Sequence, residues 1–229
     1  MNLTVISLLK SFDDNCLKSY NSLYSQSSKN FEHIVVYKEL NENHLKILKQ
    51  KFYLTKFINE IPNDYKNKFF ALNQAIEISS GKYIMVLHSD DFISNQNLIL
   101  DINKYSNTGV DFITTGVEII NNQQKIIRKW MFSKNSDYFG YSDIPPHTGF
   151  IYKKILHDLF GPYSINFPIA ADFDFMLKYF SKYKNKIKFK IIENFSIKMS
   201  FGGDSTKLQN LLKVFFEDRL IFKLQNKKF

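Results

Sequence analysis

The sequence predicts an α/β domain, with a mainly parallel central sheet flanked by helices and one small antiparallel hairpin added late. Three observations lead there. Short apolar runs and segments of helical spacing alternate from Leu3 to Leu87, the β-α-β order that right-handed crossovers wind into a parallel sheet. The apolar run over 83–87 is too short for a helix, reads as a fully buried strand, and stops abruptly at His88-Ser89-Asp90-Asp91. After those acids the texture changes, and two β-rich runs flank Asn121-Asn122 as the arms of a hairpin.

Each element has a local reason. Leu3–Leu9 is the first buried strand, and Asp13, Asp14 and Asn15 offer N-caps to a helix with Leu17, Tyr20, Leu23 and Tyr24 on one face. Residues 31–37 form the second strand. Asn41 or Asn43 caps the next helix, where Leu45, Leu48 and Phe52 share a face. Residues 53–58 make a third strand, closed by Pro62 and Asn63-Asp64. Phe69, Leu72, Ala75 and Ile76 recur at helical spacing within 67–79, and Gly81 stands where a helix takes its left-handed terminal residue. Beyond the central strand come a helix over 96–105, strands over 112–120 and 125–131, and a breaker-rich loop over 133–146. Residues 149–152 read as a short strand and 153–160 as a helix stopped by Gly161-Pro162. A helix over 171–183 opens with Asp172 and Asp174, 187–192 is a late strand, and 207–224 is the last helix. No repeat or clean linker interrupts the 229 residues, so one domain is expected.

Composition narrows the function. A hydrophobic content of 44% supports a sizeable core and excludes disorder. The net charge of +9 is almost all lysine, since Arg128 and Arg219 are the only arginines. Such a surface attracts anionic partners in general, but base-specific nucleic-acid readers rely on arginine, and no nucleic-acid partner is expected. Cys16 is the single cysteine, which rules out an internal disulfide and a cysteine-based zinc cluster. No signal peptide is visible and no apolar run nears the ~20 residues that span a bilayer, so a cytoplasmic location is expected.

The acid pair at the end of the central strand is the first candidate site. Ligands of open α/β sheets bind beyond the carboxyl ends of the strands. Two adjacent carboxylates repel unless a cation or a donor-rich ligand lies between them, and hard divalent cations shared with phosphates suit that position. The competing reading is that Asp90 and Asp91 merely cap the helix that follows. No GxGxxG follows the first strand, so the dinucleotide fingerprint is absent.

Several pieces then line up in order: Gly81-Lys82-Tyr83 with its strand and His88-Ser89-Asp90-Asp91, Pro146-His147-Thr148-Gly149-Phe150, Ala170-Ala171-Asp172-Phe173-Asp174, and Phe201-Gly202-Gly203-Asp204-Ser205. Together with Asn30-Phe31-Glu32-His33-Ile34-Val35-Val36 and Asn73, this ordered set resembles the family 2 glycosyltransferases, inverting enzymes of the GT-A fold, of the kind that builds bacterial surface polysaccharides.

The resemblance implies a hexosyltransferase-type enzyme that takes a nucleotide sugar, foremost a UDP-sugar, and a glycan or lipid-linked acceptor of capsule, lipopolysaccharide or exopolysaccharide. It divides the chain into a nucleotide-binding half (1–95), an acceptor-side half (96–206) and a basic amphipathic helix (207–229). Asp172 falls on the catalytic base, and a carboxylate at a helix start favours its ionised form, which limits how strongly it pulls a proton. Asp90 and Asp91 fall on the ligands of a divalent ion, Mn2+ or Mg2+, with His88 where the family usually carries Asp or Asn. Ser7, Glu39, Lys66, Ser89, Asp90 and His147 are the implied donor contacts, although Glu39 is out of register with the family's base-reading acid. Asp174 is structural or faces the acceptor. The last helix, with Leu208, Leu211, Leu212, Phe215 and Phe222 on one side among lysines, either rests on an anionic inner membrane or packs on the domain. The other reading left open is a catalytically silent nucleotide-sugar-binding or scaffold protein.

Overall fold

The computed structural model describes residues 1–61, 67–133, 144–183, 186–203 and 208–225. Among the described residues nine strands lie in one sheet, ordered β3-β2-β1-β4-β8-β6-β9-β5, with β7 paired to β6 outside that path. The first half is β1 (Leu3–Leu9), α1 (Asp14–Tyr24), β2 (Glu32–Tyr37), α2 (Glu42–Lys51), β3 (Thr55–Asn59), α3 (Lys68–Ile78) and β4 (Tyr83–Val86). These four strands are mutually parallel, as the alternation of strand and helix required. The second half holds β5 (Phe92–Ile93), α4 (Leu98–Ser106), β6 (Phe112–Ile120), β7 (Ile126–Trp130), β8 (Phe150–Lys153), α5 (Ile155–Phe160), α6 (Ala171–Tyr183), β9 (Phe189–Ser200) and α7 (Leu211–Leu224). Here β8 runs antiparallel between β4 and β6, while β6 and β9 pair in parallel. The hairpin is the antiparallel β6–β7 pair.

Neighbouring residues of β1 serve opposite faces, as a strand buried on both sides demands. Ile6 packs with Phe69 and Leu72 of α3, whereas Val5 packs with Leu98 and Ile102 of α4. A third apolar group joins Leu9 and Val35 to Cys16 and Tyr20 of α1 and to Leu48 and Phe52 at the end of α2. The helix starts follow the predicted capping chemistry: Asp13 accepts from the Cys16 amide, Asn41 from Asn43, and Asn67 from Phe69.

Three expectations are corrected. Gly81 is not a left-handed cap, because positive φ among the described glycines is confined to Gly109, Gly161 and Gly202. Glycine is needed there for close approach: a Cβ would lie 2.4 Å from the Thr4 amide nitrogen. Asp90 and Asp91 do not cap α4, whose N-cap is Asn97. The late strand runs to Ser200 and not 192, since it follows β6 along its length across register shifts at Thr115–Val117.

Candidate active site

The carboxyl ends of β1, β2 and β4 open into a cleft of about 1270 Å3. At the end of β4 the Leu87 amide makes its last sheet bond, to the Ile6 carbonyl at 2.9 Å, and the chain then turns, the Asp91 amide donating to the His88 carbonyl at 3.0 Å. This turn separates the two acids. Asp90 is exposed in the cleft, and its carboxylate accepts no hydrogen bond from the described residues. Asp91 turns inward and is 2% exposed; its Oδ1 accepts from the Ser200 amide and its Oδ2 from the Thr148 hydroxyl, both at 3.1 Å. Burial, and then the charge of Asp90, push the Asp91 carboxyl up to about 8 against those two donors. One acid is presented; the other anchors the turn to β9 and to the 3-10 turn His147–Gly149.

A second wall is the first turn of α6. Asp172 Oδ1 accepts from the Phe173 amide at 2.9 Å, and Oδ2 lies 3.9 Å from Nδ1 of His147. His147 is held from behind, its Nε2 3.1 Å from the Tyr163 hydroxyl, which in turn donates to Tyr152 at 3.2 Å. The rings of His88 and His147 stand 5.9 Å apart. Burial, with the positive charge of Lys68 next, lowers both histidines to about 3, so both are neutral at physiological pH. The same burial raises Asp172, opposed by Lys68 and by the Phe173 amide. The expectation of a low proton affinity is therefore reversed, because desolvation outweighs the helix start.

The last helix brings one acid to the cleft and uses another to hold α6. Glu217 Oε2 accepts from the amides of Ile169 and Ala170 at 3.1 and 2.8 Å, capping from outside the turn that leads into α6. Asp218, 6% exposed, lines the cleft beside it. Burial first, then the charges of Asp172 and Glu217, push Asp218 up to about 7.

Of the predicted residues, Glu39, Ser89, Asp90, Asp91, His147 and Asp172 line this one cleft. Ser7 does not: it is fully buried under the sheet end, donating to the Leu87 carbonyl at 2.7 Å and lying 3.2 Å from His33 Nε2. Lys66 lies outside the described residues, as does Ser205. Asp174 is buried and pairs with Lys178 and Gln225, tying α6 to α7. Glu60, Lys68, Arg128, Trp130 and Asp218 are among the lining residues that were not foreseen. The signals for three of them were present: one tryptophan and one of two arginines at alternate positions of a strand, and an acid pair within an apolar, basic helix.

A family model described as "Glycosyl transferase family 2" matches residues 11–167. An "Uncharacterized glycosyltransferase MJ1057" of Methanocaldococcus jannaschii is 27% identical over 206 residues, covering 86% of this chain and 69% of the relative. Among solved structures, TarS 1-349 of S. aureus in complex with UDP superposes with a TM-score of 0.73 at 17% identity, over 98% of this chain and 65% of that one. The mannosyltransferase PcManGT of Pyrobaculum calidifontis, in complex with GDP-Man and Mn2+, gives 0.66 at 12% identity, over 98% and 67%. The chain thus spans about two-thirds of the length of the structures whose fold it shares.

Proposed function

The chain belongs to glycosyl transferase family 2, and from that premise we propose that it is an inverting transferase moving a sugar from a nucleoside-diphosphate sugar to a hydroxyl of a glycan or lipid-linked acceptor of a surface polysaccharide. The observation that carries this reading is the meeting of Asp90 and Asp172, from β4 and α6, in one cleft. The acceptor oxygen bonds to the anomeric carbon as the bond to the donor phosphate breaks. The electron pair departs with the diphosphate, and the hydroxyl proton passes to the Asp172 carboxylate. Burial raises the proton affinity of that carboxylate, which makes it a stronger base than an exposed aspartate. His147, neutral and held by Tyr163, borders it without cancelling its charge. A UDP-sugar is the donor we assign, supported by a fold shared with TarS in complex with UDP-GlcNAc, at 17% identity.

A divalent ion, Mn2+ or Mg2+, fits the residues at the β4 turn. Asp90 offers a hard oxygen donor with no hydrogen bond from the described residues, and the buried Asp91 beside it, its carboxyl pushed up to about 8, is a group that a nearby cation would help to ionise. Among the described residues no three His, Cys, Asp or Glu side chains gather to hold a metal, so Asp90 would hold the ion together with donor phosphate oxygens and water. When bound, the ion supplies charge compensation for the departing diphosphate.

Asp172→Asn tests the reading. Transfer should fall by about 10^2- to 10^4-fold, while UDP with Mn2+ still raises the melting temperature. Undiminished turnover would overturn it. The neutral His88, standing where the family usually carries Asp or Asn, favours a second reading: a nucleotide-sugar binder without turnover. Donor binding with neither transfer nor hydrolysis across a panel of acceptors would select that one.

Membrane contact is the remaining part of the proposal. No helix among the described residues is long and apolar enough to cross a bilayer. α7 turns Glu217, Asp218, Ile221 and Phe222 inward and leaves Leu211, Leu212, Phe215, Phe216, Leu220 and Leu224 exposed, with Lys213, Arg219 and Lys223 among them. An apolar face rimmed by cations suits an anionic membrane surface. Flotation with anionic vesicles, reduced by the double substitution Leu212→Glu and Phe216→Glu, is the expected result; flotation unchanged by it would remove this contact.

A further inference from the structure

The cleft has one wall that neither the donor nor the transfer chemistry uses. In the sheet order, β6 and its hairpin partner β7 lie beyond β4 and β8 from the ends of β1 to β3, where Glu39 and Glu60 line the cleft. Alternation along β7 sorts its side chains. Lys129 faces away, paired to Glu118 at 3.2 Å and set over the Phe195 ring. Arg128 and Trp130 face the cleft, together with Ile119, the cross-strand partner of Arg128. A bulge at Ile119–Ile120 lies opposite them, the kind of irregularity that re-aims a strand's side chains at a site. Met199 and Phe201 complete the strip; the Phe201 amide donates to the Ile120 carbonyl at 2.8 Å, and its side chain is 52% exposed.

The chemistry of the pair is specific. In a chain whose other cations are lysines, apart from Arg219, an arginine and the sole tryptophan sit side by side, the guanidinium carbon 5.2 Å from the centre of the indole. Among the described residues the Arg128 guanidinium makes no ion pair or hydrogen bond, so stacking leaves its donor fork directed at the cleft. A planar fork reads carboxylate or phosphate in two parallel hydrogen bonds, which a lysine cannot do. The electron-rich indole face takes the C–H face of a pyranose ring.

We propose that Arg128 and Trp130 form an acceptor subsite for a saccharide unit bearing a carboxylate or phosphate group. The inference rests on the glycosyltransferase reading of the cleft and deepens it by naming the class of acceptor. Ring and anion are recognised together, with the rest of the acceptor extending over Phe201 and Met199.

Trp130 is the only tryptophan, so its emission reports this wall alone. The full chain is titrated with tetragalacturonate, glucose 6-phosphate and uncharged maltotetraose, and separately with UDP and Mn2+ followed by thermal shift. Emission should respond saturably to an anionic saccharide, about tenfold more tightly than to maltotetraose, and the response should weaken as salt is raised. The stronger of the two anionic probes tells carboxylate from phosphate. Arg128→Gln, at an exposed position, should abolish the preference for anions while the UDP shift persists; Arg128→Lys should restore it only in part. Equal responses to charged and neutral sugars, emission that follows UDP but no saccharide, or no saccharide response at all would overturn the subsite. A saccharide response without any UDP shift would instead count against the donor reading and leave the subsite standing.

Discussion

The two ends of the parallel strands use the same residue types in opposite ways. At the amino ends, Glu32 is 6% exposed and burial pushes its carboxyl up. Hydrogen bonds from Lys56, the Thr4 hydroxyl and the Ser80 amide outweigh that push and bring it down to about 2. At the carboxyl ends, Asp91 has two donors and an acidic neighbour and rises to about 8, and Asp218 rises to about 7. Burial is common to both ends; the supply of donors differs. A carboxylate whose acceptor sites are filled holds strands together, as Glu32 does between β1, β2 and the turn before β4. One left short of donors is held ready for a ligand, and such groups gather at functional sites.

The sharpest way to break this contrast is at the saturated end. Glu32→Gln removes the acceptor of Lys56 and the charge that the other two donors serve. The shift of Glu32 from its usual value of 4.5 to about 2 corresponds to roughly 3 kcal/mol of native-state stability. The sign follows from the depressed folded value: the contribution is complete above the unfolded pKa and is lost as pH falls from about 4.5 towards about 2. Urea unfolding at neutral pH should show the variant destabilised by about 2–3 kcal/mol, with a gap that narrows towards pH 2. A gap that stayed constant with pH would mean that packing, and not the filled carboxylate, holds this edge.

Legibility in the sequence divides along the same line. β1, β6 and α6 start and stop where unbroken apolar runs and helical spacing say they should, because those signals are local. Asp90, Asp91, His147 and Asp172 were readable as motifs, and they do converge in space. What local signals could not show is which partners a side chain meets. Gly81 looked like a helix cap because it follows one, but its need for glycine comes from Thr4, far away along the chain. Ser7 was an implied donor contact, yet its hydroxyl is committed to Leu87 and His33. In α7 the helical spacing was clear and the choice of inward face was not. Ordinary amphipathic logic buries Leu211, Leu212 and Phe215; the structure exposes them and buries Glu217 and Asp218, because the start of α6 needs an acceptor there. Lys68, Arg128, Trp130 and Asp218 reach the cleft through the same long-range packing.

The smaller and more discriminating test lies at the undersupplied end. Asp218 has a folded value near 7, above its unfolded one, so the native state holds a proton that the unfolded chain gives up. Stability should therefore fall as pH rises from about 4 to about 7 and level off above, where the ionised carboxylate is a standing cost. Asp218→Asn removes that cost. Allowing for water in the cleft, the gain at pH 8 should be about 1 kcal/mol, vanishing near pH 4. Melting temperatures of the two proteins across pH 4–8 measure it. Parallel curves would mean that Asp218 already has a donor partner in the native state, and α7 would then resemble the Glu32 edge, its acid filled and structural like Glu32 itself. Curves that converge near pH 4 and separate towards pH 8 would place Asp218 with Asp91 and Asp172, among the cleft acids whose proton affinity burial raises.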